Sequence, residues 1–239
     1  MSYLCTSPVE NTLLTTTTEA VIAGERLRLH PHAALYWERA GTLVIADPHL
    51  GKATHFRRHG MPVPAYVQDE TLEKLAGLLL DVRPRRLLIL GDLFHADYNP
   101  EWEDFGDLVL GFRDQTDVAL VPGNHDRLTH HQYRRLGIAV HPEPYVEGPF
   151  AWSHHPLSPK ELAAAGHRDA AAAYNLAGHV HPAVRLRGGG GALRLPCFFF
   201  GRDGGLLPAF GAFTGTAAVR PRRGDRAYVL AGDRVVLAG

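Results

Sequence analysis

Cysteine, lysine and net charge are what this sequence has least of. Its 239 residues contain two cysteines, Cys5 and Cys197, which make no disulfide framework and point to a reducing, cytoplasmic setting. No apolar run approaches the roughly 18 residues of a bilayer span, so no membrane association is expected. The first 25 residues have neither the basic start nor the apolar stretch of a signal peptide. Lys and Arg total 25 and Asp and Glu total 25, giving zero net charge with neutral histidine. A strongly basic nucleic-acid coat protein is thereby excluded, although a local basic patch is not. Only Lys52, Lys74 and Lys160 are lysines; the remaining cations are arginine, a bias that the abundance of Ala and Gly ascribes to genomic base composition. With 45% hydrophobic residues the chain can build a sizeable core, which excludes disorder throughout.

What is abundant is histidine, with 15 residues, and its placement is informative. Residues 1–25 read as a peripheral N-terminal segment and 26–239 as one domain, since there is no internal repeat or linker. Leu27–Leu29, Ala33–Tyr36, Thr42–Ala46, Arg86–Leu90, Val118–Val121, Phe150–Ser153 and Asn175–Ala177 are short apolar runs of strand length. Tyr66–Val82 and Phe105–Phe112 carry helical spacing. From Val184 onward strands dominate, with the glycines at 188–191 as a hairpin turn.

Five polar motifs end such runs: Asp47-Pro48-His49, Gly91-Asp92, Gly123-Asn124-His125-Asp126, His154-His155-Pro156 and Gly178-His179-Val180-His181. Ligands in α/β sheets bind beyond the carboxyl ends of strands, so these loops can converge. Carboxylate, imidazole and amide without thiolate favour Mn²⁺, Fe²⁺ or Zn²⁺ in an open site over a structural Cys-based zinc. In an extended loop, positions i and i+2 share a side, which would let Asp47 with His49, and His179 with His181, grip one ion each. Asp92 has two oxygens and can bridge two ions. Glycines before Asp92, Asn124 and His179 would let backbone approach the metals closely.

This ordered set resembles the calcineurin-like metallophosphoesterase superfamily from Asp47 to His181. The text around the motifs is similar to one bacterial branch, the ligase-associated DNA damage response endonucleases. That closer resemblance rests on Asp47–Lys52, Gly91–His95, Gly178–Pro182, Leu195–Phe199, Leu207–Gly211 and Phe213–Gly215. It implies a four-layer α/β/β/α sandwich of two mixed sheets flanked by helices, with two divalent ions, Mn²⁺ first. It also implies single-stranded DNA as substrate, in DNA repair, with DNA ligase and helicase as expected partners. Asp47, His49 and His181 would hold the first ion, Asn124, His154 and His179 the second, and Asp92 would bridge. His155 is the alternative to His154.

Two ions generate hydroxide near neutral pH and neutralise phosphoryl oxygens, so Asp92 counts among the catalytic groups. His125 would reach the phosphate and protonate the leaving oxygen. Asp126 either orients His125 or makes a structural bond in its turn. His95, the cluster Arg57-Arg58-His59 and the run Arg220, Arg222, Arg223, Arg226 are weaker candidates for substrate contact. Phe198–Phe200 either stack on bases or belong to the core. The competing functions are hydrolysis of a small phosphoester and an inactive scaffold. Circular single-stranded DNA separates the first from an endonuclease, and metal analysis tests the second.

Overall fold

In the computed structural model, residues 16–52, 66–94, 100–165, 173–188, 191–212 and 214–238 are described. The first sheet contains β1 (Thr18–Ile22), β2 (Glu25–His30), β3 (Ala34–Trp37), β4 (Thr42–Ala46), β5 (Arg86–Leu90), β6 (Asp117–Val121) and β7 (Ile138–Val140), hydrogen-bonded in that order. β1 to β4 run antiparallel through short turns, whereas β4 to β7 are parallel. Helices α1 (Tyr66–Val82), α2 (Pro100–Phe112) and α3 (His130–Arg135) are interleaved with the parallel strands. Such connections are what parallel pairing requires.

The central strands are apolar on both sides because both faces are covered. Val44 and Ala46, Leu88 and Leu90, Ala119 and Val121 face the second sheet, meeting Phe150, Trp152, Leu176, Phe198 and Phe200. The alternate residues Leu43, Ile45, Leu87, Ile89, Val118 and Leu120 pack on Leu75, Leu78 and Leu79 of α1, Trp102, Phe105 and Val109 of α2 and Tyr133 of α3. Period-two alternation thus divides one strand set between two cores.

The second sheet is built on β8 (Tyr145–Glu147), β9 (Phe150–Ser153), β10 (Tyr174–Ala177), β11 (Pro182–Gly188), β12 (Gly191–Phe200), β13 (Gly204–Leu206) and β14 (Ala217–Ala218). Its order is β14-β11-β12-β13-β10-β9-β8, with the hairpin β15 (Arg226–Ala231) and β16 (Arg234–Leu237) joined to β12. A short helix, α4 (Pro159–Ala164), lies between β9 and β10 in sequence and is opened by a Ser158–Glu161 capping box. The architecture is therefore two mixed β-sheets flanked by helices. Among the described residues, no helix is long and apolar enough to cross a membrane.

Register aligns the loops that matter. Ala46 pairs with Leu90 and Leu90 with Val121, so β4, β5 and β6 end at one level. In the other sheet Ser153 pairs with Ala177, so His154 and Gly178 leave their strands together.

Several expectations change. Within the N-terminal segment, Thr18–Ile22 forms an edge strand paired with β2 and buries Ala20 and Ile22. Alternating burial of two small apolar residues is enough to dock it. Helix α2 begins at Pro100, five residues before the expected start. Proline suits a first helical turn, and Glu101 and Glu103 complement its positive end. Phe198 and Phe200 are core residues, and Phe199 packs beside Cys197, so none is a free stacking platform. Cys5, Arg57, Arg58, His59 and His95 lie outside the described residues.

His30 closes β2, 6% exposed, and its Nδ1 accepts the His32 N–H at 3.1 Å. Burial, reinforced by His32, lowers its pKa to about 4. The unfolded chain therefore takes up a proton below about 6.5 that the folded chain refuses until about 4. Stability should be full above pH 6.5 and decline towards pH 4, by about 1–2 kcal/mol from this group after allowance for solvent screening. Urea unfolding should show a shallower decline for His30→Asn, which can accept the same bond without titrating; an identical decline would contradict the assignment.

Candidate metal centre

The five motif loops meet in one place. Asp47 follows β4, Asp92 follows β5, Asn124 and His125 follow β6, His154 follows β9, and His179 and His181 follow β10. Three sets of ligand atoms fall within 4.8 Å of one another: Asp47, His49 and His181; Asp47, Asp92 and His154; His154, His155 and His179. Asp47 and His154 are wholly buried, Asp92 is 3% exposed, and His49 is buried. Asn124 and His179 are exposed, while His125 and His181 are half-buried. The centre thus has a dry floor and an open rim.

The expected extended loop is not what brings these side chains together. Asp47, His49, Asp92, His179 and His181 all have left-handed backbone, with φ between 48° and 63°. Outside glycine this region is sparsely populated and strained, and it concentrates at functional sites. Each left-handed step bends the chain back over the strand end, so neighbouring side chains converge by turning and not by i, i+2 alternation. The strain is held by hydrogen bonds: Asp47 N–H donates to the Gly91 carbonyl at 3.3 Å and His49 N–H to the Asp92 carbonyl at 2.9 Å.

Backbone donors also orient the carboxylates. His179 N–H reaches Asp47 Oδ2 at 2.9 Å, and His125 N–H reaches Asp92 Oδ1 at 2.9 Å. The two Asp92 oxygens face different histidines, Oδ1 lying 3.5 Å from His154 Nε2 and Oδ2 3.8 Å from His49 Nε2. Asp47 Oδ1 is buried without a hydrogen-bond partner of ordinary geometry, and its near neighbours are His181 Nε2 at 3.3 Å and His154 Nδ1 at 3.7 Å.

Carbonyl groups set the imidazoles. His154 Nδ1 donates to the Leu90 carbonyl at 3.3 Å and His181 Nδ1 to the Gly215 carbonyl at 3.0 Å. A carbonyl only accepts, so a neutral ring that makes either bond carries its proton on Nδ1 and has its lone pair on Nε2. The bare Nε2 of His154 then faces Asn124 Oδ1 at 3.1 Å and Asp92 Oδ1 at 3.5 Å, with His179 Nδ1 at 3.0 Å. With its proton on Nδ1, His154 turns a lone pair towards two acceptor oxygens, an arrangement that a cation resolves, and carbonyl anchoring of the other ring nitrogen is the usual outer support of a metal ligand. The donor set fits divalent ions.

Burial, together with His154 and His155, lowers the pKa of His179 against the pull of Asp47 and Asp92, which keeps it neutral as ligation requires. Burial also disfavours charge on His181, but the Asp47 carboxylate and the Gly215 carbonyl outweigh it and raise its pKa. Burial lowers the pKa of Lys52 while the charges of Asp92 and Asp47 oppose that fall, so its ammonium feels both carboxylates.

His154 points inward, whereas His155 is half-exposed and its Nδ1 lies 3.4 Å from Glu143 Oε2. Asp126 takes a structural role. It accepts Gly123 N–H at 2.8 Å, Phe94 N–H at 3.1 Å and the Tyr133 hydroxyl at 3.4 Å, tying the β5 and β6 loops together. Its burial raises its pKa to about 6. Lys52 ends the Asp47–Lys52 segment but the sequence assigns it no role, and no motif marks Lys74, which donates to the Phe210 carbonyl with its ammonium 4.0 Å above the Phe210 ring. Phe210 and Gly211 donate in turn to the Ala46 and Asp47 carbonyls. The available signal was scarcity: two of only three lysines serve the centre or its support.

A sandwich with strand ends gathered around a two-carboxylate, histidine-rich centre defines a metal-dependent phosphoesterase. A family model for calcineurin-like phosphoesterases matches residues 41–167, and the chain belongs to that family. Its structure is similar to that of the Pseudomonas putida nuclease MPE, with 32% sequence identity and a TM-score of 0.74, over 93% of this chain and 100% of that one. A protein of unknown function from Aquifex aeolicus, AQ665, matches at 18% identity and TM-score 0.42, covering 59% of this chain and 78% of that one. No curated protein matches.

The glycines beside the centre make room for side chains. A Cβ on Gly91, itself at φ +71°, would overlap the His154 ring, and one on Gly123 would overlap Asp92. Gly123→Ala should therefore displace Asp92, lowering bound divalent metal several-fold with little loss of far-UV circular dichroism. Full metal content in that variant, measured by plasma mass spectrometry, would contradict the packing described.

Proposed function

We propose that this phosphoesterase is an endonuclease for single-stranded DNA, acting with two divalent ions, manganese first among them. The observation that carries the two-ion reading is the Asp92 carboxylate, whose oxygens face histidines of two different groups. Asp47, His49 and His181 would hold one ion, Asn124, His154 and His179 the other, and Asp92 would serve both. His154 is assigned over His155 because it is buried, anchored through Nδ1 and aimed at Asn124. When bound, two such ions activate water at neutral pH and neutralise the phosphoryl oxygens. The nuclease reading draws on the resemblance of the motif surroundings and on the similarity to a protein described as a nuclease. A setting in cytoplasmic DNA repair, beside ligase and helicase, follows from the same resemblance.

The chain's own groups divide the remaining work. His125 stands half-exposed at the rim with its N–H fixed by Asp92, so its ring can protonate the departing oxygen. Lys52, whose charge interacts with those of Asp47 and Asp92, adds positive charge for an approaching substrate phosphate. Asn124 and His179 are exposed, so the centre can be reached from solvent by a substrate.

Metal-stripped protein reloaded with Mn²⁺ should linearise circular single-stranded DNA and also hydrolyse an aryl phosphodiester. His125→Ala should retain both ions and lose turnover by roughly 10²-fold or more. Hydrolysis of the aryl ester without cleavage of the circle would contradict the endonuclease and favour a small phosphoester. Absence of bound metal and of both activities would favour a scaffold.

A further inference from the structure

His181 does not end its strand's contribution to the centre. Pro182 follows at once and opens β11, which pairs antiparallel with β12 down to Gly188 opposite Gly191. On its other side β11 pairs with β14, Pro182 facing Ala217 and Ala183 facing Ala218. The chain that runs beside it starts at Gly215, whose carbonyl holds His181 Nδ1, and continues to Arg220, Arg222 and Arg223. Two bonds lock this path to the centre, Ala217 N–H to the His181 carbonyl at 2.9 Å and Val219 N–H to the Ala183 carbonyl at 2.9 Å.

The cations on these paths are close together. Arg185 and Arg194 are directly opposed across the hairpin, and both are exposed. Like charges in that position destabilise a sheet. Arg194 also reaches back to the Thr216 carbonyl at 3.2 Å, next to the residue that anchors His181. Arg220, Arg222 and Arg223 lie at the surface as well, Arg222 and Arg223 fully exposed. From Pro182 to Arg223 the sole acidic residue is Asp203. Some arginines elsewhere are matched, Arg28 with Glu38, Arg39 with Glu25 and Arg86 with Glu147. Among the described residues, none of Arg185, Arg194, Arg220, Arg222 and Arg223 is in an ion pair. In a chain of zero net charge, these exposed arginines lead away from the metal centre with Asp203 and, at the far end, Asp225, which accepts the Arg222 N–H at 2.8 Å, as the nearest acids in sequence.

We propose that the β11–β12 hairpin and the Arg220–Arg223 segment form the track that binds the backbone of a single-stranded polynucleotide entering the centre; this rests on the nuclease reading. Arginine presents a planar fork suited to phosphate oxygens. Strand geometry puts Arg185 roughly 13 Å along β11 from His181, too far for a small ester in the centre to touch. The track therefore governs long substrates alone.

The test compares two substrates on the Mn²⁺-loaded enzyme. A variant carrying Arg185→Gln, Arg194→Gln, Arg222→Gln and Arg223→Gln should raise KM for single-stranded DNA by roughly ten-fold or more, because fewer backbone phosphates are neutralised. Its ratio of kcat/KM on DNA to that on an aryl phosphodiester should fall accordingly. The plot of log KM against log salt should become shallower by about 0.7 for each phosphate that an arginine no longer neutralises. The matching Arg→Lys variant keeps the charge and should stay much nearer to the parent. Parallel losses on both substrates would overturn the proposal, because they would assign the arginines to supporting the centre. An unchanged DNA KM in a parent that cleaves DNA would overturn the track alone. A parent that hydrolyses the aryl ester but leaves DNA intact would overturn the nuclease reading and the track with it.

Discussion

Two carboxylates buried side by side constrain everything around them. Asp47 and Asp92 lie on the floor of the centre, 0% and 3% exposed, and among the described residues neither is in an ion pair with an arginine or lysine. Burying such charges unpaired is costly. The fold offsets part of that cost with the His179 and His125 amides and with the nearby Lys52 ammonium. What remains is a cation-shaped demand, expressed in Asp47 Oδ1 and in the Nε2 atoms of His154 and His181 that face these carboxylates. The donor chemistry and the phosphoesterase family agree on how divalent metal meets it.

That demand is tolerable because the sandwich over-determines the floor. In-register strand ends set the level of five loops, and left-handed residues turn their side chains inward. Asp126 staples two loops. The Phe210–Gly211 strap, held from α1 by Lys74 and by Thr71, whose hydroxyl accepts the Ala212 N–H, backs Asp47 from outside. The strained backbone therefore sits inside a frame made of ordinary apolar packing, where strand alternation supplies one core between the sheets and another beneath the helices.

Much of this was legible in the residues. Thr42–Ala46, Arg86–Leu90 and Phe150–Ser153 are strands over the expected ranges, and Tyr66–Val82 is a helix over the expected range, because short apolar runs and a leucine stripe carry their own periodicity. The meeting of Asp47, Asp92, His154 and His179 was legible because strand-end motifs have one place to go in such a sheet. Other features depended on what lies across space. Nothing local marks Asp47 or His49 as left-handed, since neither residue is glycine. Thr18–Ile22 reads as a tail until β2 is there to pair with it. The short β7, β8 and β14 have too few residues to show a period. Asp126 could be placed beside His125 in sequence, yet its partners Phe94 and Tyr133 come from other elements.

The central claim is that one carboxylate organises two cations, and diffraction from crystals soaked in Mn²⁺ tests it most directly. Anomalous maps should contain two peaks of comparable height, one beside Asp47, His49 and His181, the other beside Asn124, His154 and His179, with Asp92 touching both. A single peak, or two peaks with Asp92 touching neither, would contradict the account.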